Sequence, residues 1–358
     1  MKIVKLLAAT LVAAAIGVSA SADAPKDKAK VGFIYVGPTG DHGWTYRHDI
    51  GRQQVEEAYG DRVETTFVES VAEGGDAERV MTQMALQGAD IIFATSFGYM
   101  DPVINVAKKF PNVKFEHATG YKQADNAANY GLKLYQARHV QGVVAGMMTK
   151  TNKICYIASF PIPEVMREIN TFFLGARKYN PDVELSIAWV YTWYDPGKEK
   201  DAATALIDQG CDIVAQHTDS PAPLQAAEQA GVLGFGQASD QMKFAPNAQL
   251  TATIDNWGPY YIDKVGQVLD GTWETGDYFG HMNEGAVQMA PFANMPADVQ
   301  AEAQRVKDAI SAGELFGFTG PINKQDGTVF LKEGEVATRQ QLDTMMFYVE
   351  GITSRVPS

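Results

Sequence analysis

A chain of 358 residues with 46% hydrophobic content is long enough to build two lobes with proper cores. Its formal charge of −13 argues against nucleic acid or an anionic membrane surface as a partner and suits a neutral or cationic small ligand. Cys155 and Cys211 lack metal-ligand spacing, which sets zinc and redox chemistry aside; each lies in an apolar strand-like run, so buried free thiols are expected rather than a bridge.

The chain opens with Lys2 and Lys5 ahead of an apolar run from Leu6 to Val18 and then small residues, the grammar of a secretory leader. Ala20-Ser21-Ala22 offers a cleavage site, so residues 1–22 are expected to be removed, and the formal charge then becomes −15. The run is too short for a bilayer anchor, and no cysteine sits near the site to take a lipid. Export to the periplasm in soluble form is the expectation.

From Lys30 a buried strand around Val31, Phe33 and Tyr35 ends in Gly37-Pro38-Thr39-Gly40 and leads into a helix through Tyr46–Val55. This places Asp41, His42 and Trp44 at the carboxyl end of the first strand, where ligands of open parallel sheets bind. Trp44 either plugs the core or offers a flat face to a ligand. Strand and helix patterns then alternate through residues 63–70, 76–87, 89–96 and 113–121, with a strand-to-helix turn at Phe97-Gly98. A helix around residues 136–149 closes the first lobe.

At Asn152 the alternation restarts with KICYIAS, a helix over residues 165–179, VELSIAWVY and a helix over residues 198–209. Three more apolar runs follow, then a helix over residues 259–269, a strand GAVQMAPF, a helix over residues 296–312 and a Gly/Pro-rich tail. The pattern predicts an α/β protein of two like lobes, each a parallel sheet flanked by helices, with a hinged cleft between them. The expected lobes are residues 30–150 plus about 255–280, and 151–254 plus about 281–320, with 321–358 as a tail packing on them.

Strand ends facing each other across that cleft form the candidate site. The first lobe supplies Asp41, His42, Trp44, Phe97, Gly98 and Tyr121; the second supplies Phe160, Trp193, His217, Thr218, Asp219, Ser239 and Asp240. A triad of His217, Asp219 and Ser239 can be imagined, but there is no G-x-S-x-G elbow, phosphate loop or dinucleotide fingerprint. His217 has two readings, a satisfied lobe-edge residue or a ligand contact. Binding asks less: Trp44, Phe97 and Trp193 offer faces for stacking, and Asp240 an acceptor for an amine or ring N–H. A planar nitrogen heterocycle fits that set better than a sugar, because Arg is missing from the strand ends.

The runs GPTGDHGWTYRHDIGR, SFPIPEVMREIN, WVYTWYDPGKEKDAA, AQHTDSPAPLQAAEQAGVLGFGQASD and NWGPYYIDKV resemble the basic membrane protein family of ABC-transporter substrate-binding proteins, of the purine-nucleoside receptor type. The resemblance covers about Lys30 to Pro321 and implies the type I hinged fold, a purine ligand and delivery to a membrane permease. Within the family the proteobacterial purine-binding branch is most similar, and it implies adenine. The family's aromatic-Asn pair falls at Trp44-Thr45, a departure, its second-lobe aromatic near Glu168 with Asn170 beside it, its base-binding Asp at Asp240, and its ribose-holding lysine loosely at Lys264. The combined expectation is a periplasmic binding protein for a purine base, with Asp41, Trp44, Phe97, Asn170, Trp193, His217, Asp219 and Asp240 around the ligand, and no reaction, cofactor or metal. A nucleoside-binding protein, a sensory binding protein and a secreted hydrolase are the alternatives.

Overall fold

The computed structural model describes residues 24–357; the expected leader lies outside them. Two six-stranded sheets carry the architecture. The first is assembled from β1 (Ala29–Ile34), α1 (Trp44–Tyr59), β2 (Val63–Val68), α2 (Gly75–Leu86), β3 (Ile91–Ala94), α3 (Met100–Lys109), β4 (Lys114–Ala118) and β5 (Ala127–Leu132). The chain then passes through α4 (Tyr135–Met148) into β6 (Lys153–Ala158), α5 (Pro163–Tyr179), β7 (Glu184–Trp189), α6 (Pro196–Asp208), β8 (Ile213–His217), α7 (Ala222–Ala230), β9 (Leu233–Gly236) and β10 (Gln249–Asp255). From β10 it returns along α8 (Gly258–Asp270) to β11 (Asp277–Gly280) in the first sheet, and crosses again to β12 (Val287–Met289) and α9 (Ala297–Ser311). A hairpin of β13 (Ile322–Asn323) and β14 (Val329–Leu331) and the short α10 (Arg339–Asp343) complete it.

Strand order is β11-β5-β4-β3-β1-β2 in one sheet and β12-β10-β9-β8-β6-β7 in the other. Pairing is parallel throughout except for β10 with β12. Central strands such as β3 (IIFA) and β8 (IVAQH) are buried along their whole length, as expected of strands covered on both faces. In the first lobe α1 and α8 pack together over one face while α2 and α3 seal the other around Met81, Val103 and Phe115. In the second, α4 and α5 lie on one face and α6 and α7 on the other, around Ile157, Val214 and Leu224. The α4–α5 crossing is close because Gly142 and Gly146 sit directly on the α5 backbone at Phe172 and Ala176, where a Cβ would overlap a carbonyl oxygen. These architectural features are those of the expected type I two-lobed fold.

Cys155 and Cys211 form a disulfide, with Cα atoms 6.0 Å apart, so the expectation of free thiols is corrected. Strand order is the physical reason: β6 lies beside β8, with Cys155 paired to Val214, and this brings a residue just before β8 against the middle of β6. Such neighbours are not consecutive in the chain. β11, DYFG, is a strand that the sequence pattern did not single out; four residues with an exposed Asp277 carry no clear periodicity.

The tail is built into the second lobe. Met345, Tyr348, Val349 and Ile352 are buried, Trp189 Nε1 donates to Tyr348 Oη at 3.1 Å, and Arg177 donates to the Glu350 carbonyl at 2.6 Å.

Candidate functional site

The carboxyl ends of the strands of both sheets meet around one cavity with an empty volume of about 320 Å³. That figure includes open solvent; about 20 Å³ of it admits the centre of a water-sized sphere. From the first lobe Val36 follows β1, Ser96 and Phe97 follow β3, Thr119 follows β4, and Trp44 opens α1. From the second, Ile162 and Glu164 follow β6, Trp193 follows β7, and His217 and Asp219 follow β8.

Trp44 is held firmly. Its Nε1 donates to the Thr95 carbonyl at 2.7 Å, and its ring meets His48 and Trp257 edge-on at 4.5 and 5.3 Å between centroids. Trp257 in turn stacks on His48 at 4.5 Å, so α1 and α8 together fix the indole. The two readings of Trp44 thus merge: it is a core residue with an edge on the cavity. Asp41 does not line the cavity. Its carboxylate accepts from the backbone N–H groups of Gly43, Thr45 and Tyr46 at 2.8, 3.0 and 2.9 Å, satisfying the free donors of the α1 amino end. Burial pushes its pKa up to about 6 against the lowering effect of these bonds.

Across the cavity Trp193 is half-buried against Phe160, with centroids 5.1 Å apart, and its Nε1 is enclosed without a hydrogen-bond partner. The Asp219 backbone N–H donates to the Trp193 carbonyl at 3.0 Å, which ties the two wall segments together. Asp219 Oδ2 is likewise enclosed and without a hydrogen bond, and so is Glu164 Oε2, which has Arg167 3.8 Å away as an ion-pair partner. Desolvation, reinforced by the nearby Asp41, raises Asp219 well above the usual carboxylate range. Desolvation also raises Glu164, with Arg167 opposing it.

Behind this wall His217 sits between two carboxylates, Nδ1 at 3.2 Å from Glu168 and Nε2 at 3.8 Å from Glu164. Burial pushes Glu168 up, but His217 and the fully buried Arg138, 2.9 Å away, outweigh it and hold the carboxyl at about 2. Among the described residues, Glu164, Glu168 and His217 offer ligand atoms within 4.8 Å of one another and could hold a metal ion. Arg138 on Glu168 and Arg167 beside Glu164 already supply countercharge there.

Of the residues singled out from the sequence, Trp44, Phe97, Trp193, His217 and Asp219 are brought together at the cavity. Asn170 is not: in the middle of α5 it donates to the Phe347 carbonyl at 2.8 Å and accepts from the Val349 N–H at 3.0 Å, pinning the tail. Asp240 is exposed and turned onto its own lobe, accepting from Gln249 Nε2 at 2.7 Å and the Met242 N–H at 3.0 Å. Tyr121 is exposed, Phe160 buttresses Trp193, and Lys264 lies near Glu116, 3.9 Å away, outside the cavity lining. Glu164, Ile162, Ser96 and Thr119 were not singled out. The strand-end rule that found Trp193 applies equally to the PIPE segment after β6, and extending it there would have reached Glu164.

Two α/β lobes with a cavity between their strand ends have the architecture of two-lobed solute-binding proteins. A solute-binding protein of an ABC transporter system from Aeropyrum pernix K1 shares this fold, with a TM-score of 0.70, 18% identity and coverage of 83% of this chain and 93% of its own. The chain belongs to the Bmp family, described as ABC transporter substrate-binding protein, PnrA-like, whose profile matches residues 28–315. A purine-binding protein of Brucella abortus (strain 2308) is 57% identical over 332 residues, covering 93% of this chain and 95% of its own length. A Haloferax volcanii protein that carries the name of an ABC transporter glucose-binding protein is 38% identical over 326 residues, covering 91% of this chain and 81% of its own. Family membership makes the chain a substrate-binding protein with a small-molecule ligand and a transporter permease as partner. Among the described residues no helix is long and apolar enough to cross a membrane.

Proposed function

We propose that the protein captures a free purine base, adenine foremost, in the cleft between its lobes and delivers it unchanged to the permease of an ABC importer. The observation that carries this reading is the pairing of aromatic residues from both lobes, Trp44 and Phe97 with Trp193, around two carboxylate oxygens that accept no hydrogen bond, on Asp219 and Glu164. A planar ring would lie between the aromatic side chains that the two lobes contribute to the cavity. Its exocyclic amine and ring N–H would then satisfy acceptors that otherwise accept no hydrogen bond, while the free Trp193 N–H can donate to a ring nitrogen. The purine name of the 57% identical Brucella relative supports the same class. The glucose name of the Haloferax relative marks the competing ligand. A sugar would need donors and acceptors for several hydroxyls at once, and no Arg or Asn lines the cavity.

We further propose that the leader over residues 1–22 exports the chain to the periplasm without a lipid anchor, which intact-mass analysis of the periplasmic fraction tests. Mass spectrometry of the small molecule released from denatured, purified protein tests the ligand assignment. A purine base is the expected species, and a sugar or a nucleoside overturns the free-base reading.

A further inference from the structure

The turn that precedes α1 reaches across the cleft without lining the cavity. His42, in the left-handed region at φ 60°, directs its carbonyl oxygen at the second lobe, where it accepts from both Ser239 Oγ and Gln241 Nε2, the latter at 3.3 Å. Its ring lies between Tyr46 of its own lobe and Phe244 of the other, with centroids 5.3 and 4.9 Å away. The next residue, Gly43, is pressed flat on the second lobe: a Cβ there would run into the Asp219 carbonyl oxygen, far inside van der Waals contact. Non-glycine residues in the left-handed region cost energy that the surroundings must repay. Here that repayment comes from donors belonging to the opposite lobe, so the turn is best satisfied only when the lobes are together.

We propose that the His42-Gly43 turn is a latch for the closed cleft, gripped by Ser239 and Gln241 and seated on the Asp219 backbone. It positions ligand-facing groups without touching ligand. Gly43 is flanked by Trp44 on one side and faces Asp219 across the cleft, so seating the turn sets the spacing between an aromatic wall and an unpartnered acceptor of the cavity. Closure is then encoded partly in protein–protein contacts, and a ligand adds its own contacts to that bias.

This inference rests on the proposed binding function for its affinity readout but has a second readout that does not need a ligand. The Ser239→Ala, Gln241→Ala double variant removes the two donors, and Gly43→Ala blocks seating by steric overlap, a different route to the same end. Small-angle scattering and calorimetry with adenine are compared with wild type. Each variant is expected to show a larger radius of gyration, and adenine affinity at least tenfold weaker through faster release. An unchanged radius of gyration in the double variant, both without ligand and at saturating adenine, overturns the latch. If the wild type shows no heat with adenine, the purine reading fails, and the scattering comparison without ligand still decides the latch.

Discussion

Replacing Trp193 by alanine separates binding from folding more sharply than any other single change. The side chain is half-buried, rests on Phe160, and has an indole N–H with no partner in the protein. Its structural tie, the backbone bond from the Asp219 N–H at 3.0 Å, survives truncation. The fold should therefore lose little. Base–aromatic stacking is worth about 1–3 kcal/mol, so adenine affinity should fall roughly 5- to 150-fold. Trp193→Phe should recover most of that, short of the contribution from the lost N–H donor, about 1 kcal/mol. Trp44→Ala is the contrasting case, because it also removes the bond to Thr95 and the contacts with His48 and Trp257. Cavity creation of that kind costs about 3–5 kcal/mol of stability. Isothermal calorimetry with adenine and thermal unfolding read both quantities. Trp193→Ala with wild-type affinity and a lowered melting temperature would show that the residue is a packing element and that the cavity is not the purine site.

Asp219→Asn should weaken adenine binding about tenfold, since an N–H₂ group replaces one acceptor oxygen, while the melting temperature holds or rises because an unpaired buried carboxylate is gone; calorimetry and melting on one sample check both. Asn170→Ala should do the opposite, leaving affinity unchanged but orphaning the Phe347 carbonyl and the Val349 N–H, at about 1–3 kcal/mol for each buried group by urea unfolding. Asp41 gives a pH signature. Its folded pKa is raised to about 6, so its stabilising contribution is fully present below the ordinary carboxyl pKa near 4 and is lost as pH rises through 6. Relative to Asp41→Asn, the wild type should therefore lose about 2–3 kcal/mol between pH 4 and pH 7 in urea midpoints, and a difference that does not move with pH would contradict the burial argument.

Much of the candidate site was legible because one rule places it: in parallel α/β sheets the ligand lies off the carboxyl ends of the strands. Trp44, Phe97, Trp193, His217 and Asp219 each follow a recognisable apolar run, and the fold brings them to one cavity. The same rule cannot give side-chain direction. Asp240 also follows a strand, β9, yet the turn after Gly236 lays its carboxylate on Gln249 and Met242. Asn170 was proposed through family resemblance and sits mid-helix, where its partners come from a tail some 175 residues later that showed no pattern. The disulfide escaped for a related reason: β6 and β8 are spatial neighbours only because β7 goes to the sheet edge. Strand order is a tertiary fact. The electrostatic wall of Glu164, Glu168, His217 and Arg138 likewise joins α5, β8 and α4, three elements whose apposition is invisible in any local window.

The central claim, a slot for a free purine base, is tested most directly by side-by-side calorimetric titrations with adenine, guanine, hypoxanthine, adenosine and glucose. A cavity walled by Trp44, Phe97 and Trp193, in which only about 20 Å³ admits the centre of a water-sized sphere, leaves ribose to clash or to bury hydroxyls unpaired, at about 1–3 kcal/mol for each such group. Adenine is expected to bind at least tenfold more tightly than adenosine, with no heat from glucose. Adenosine binding as tightly as adenine, or glucose binding in place of both, would contradict it.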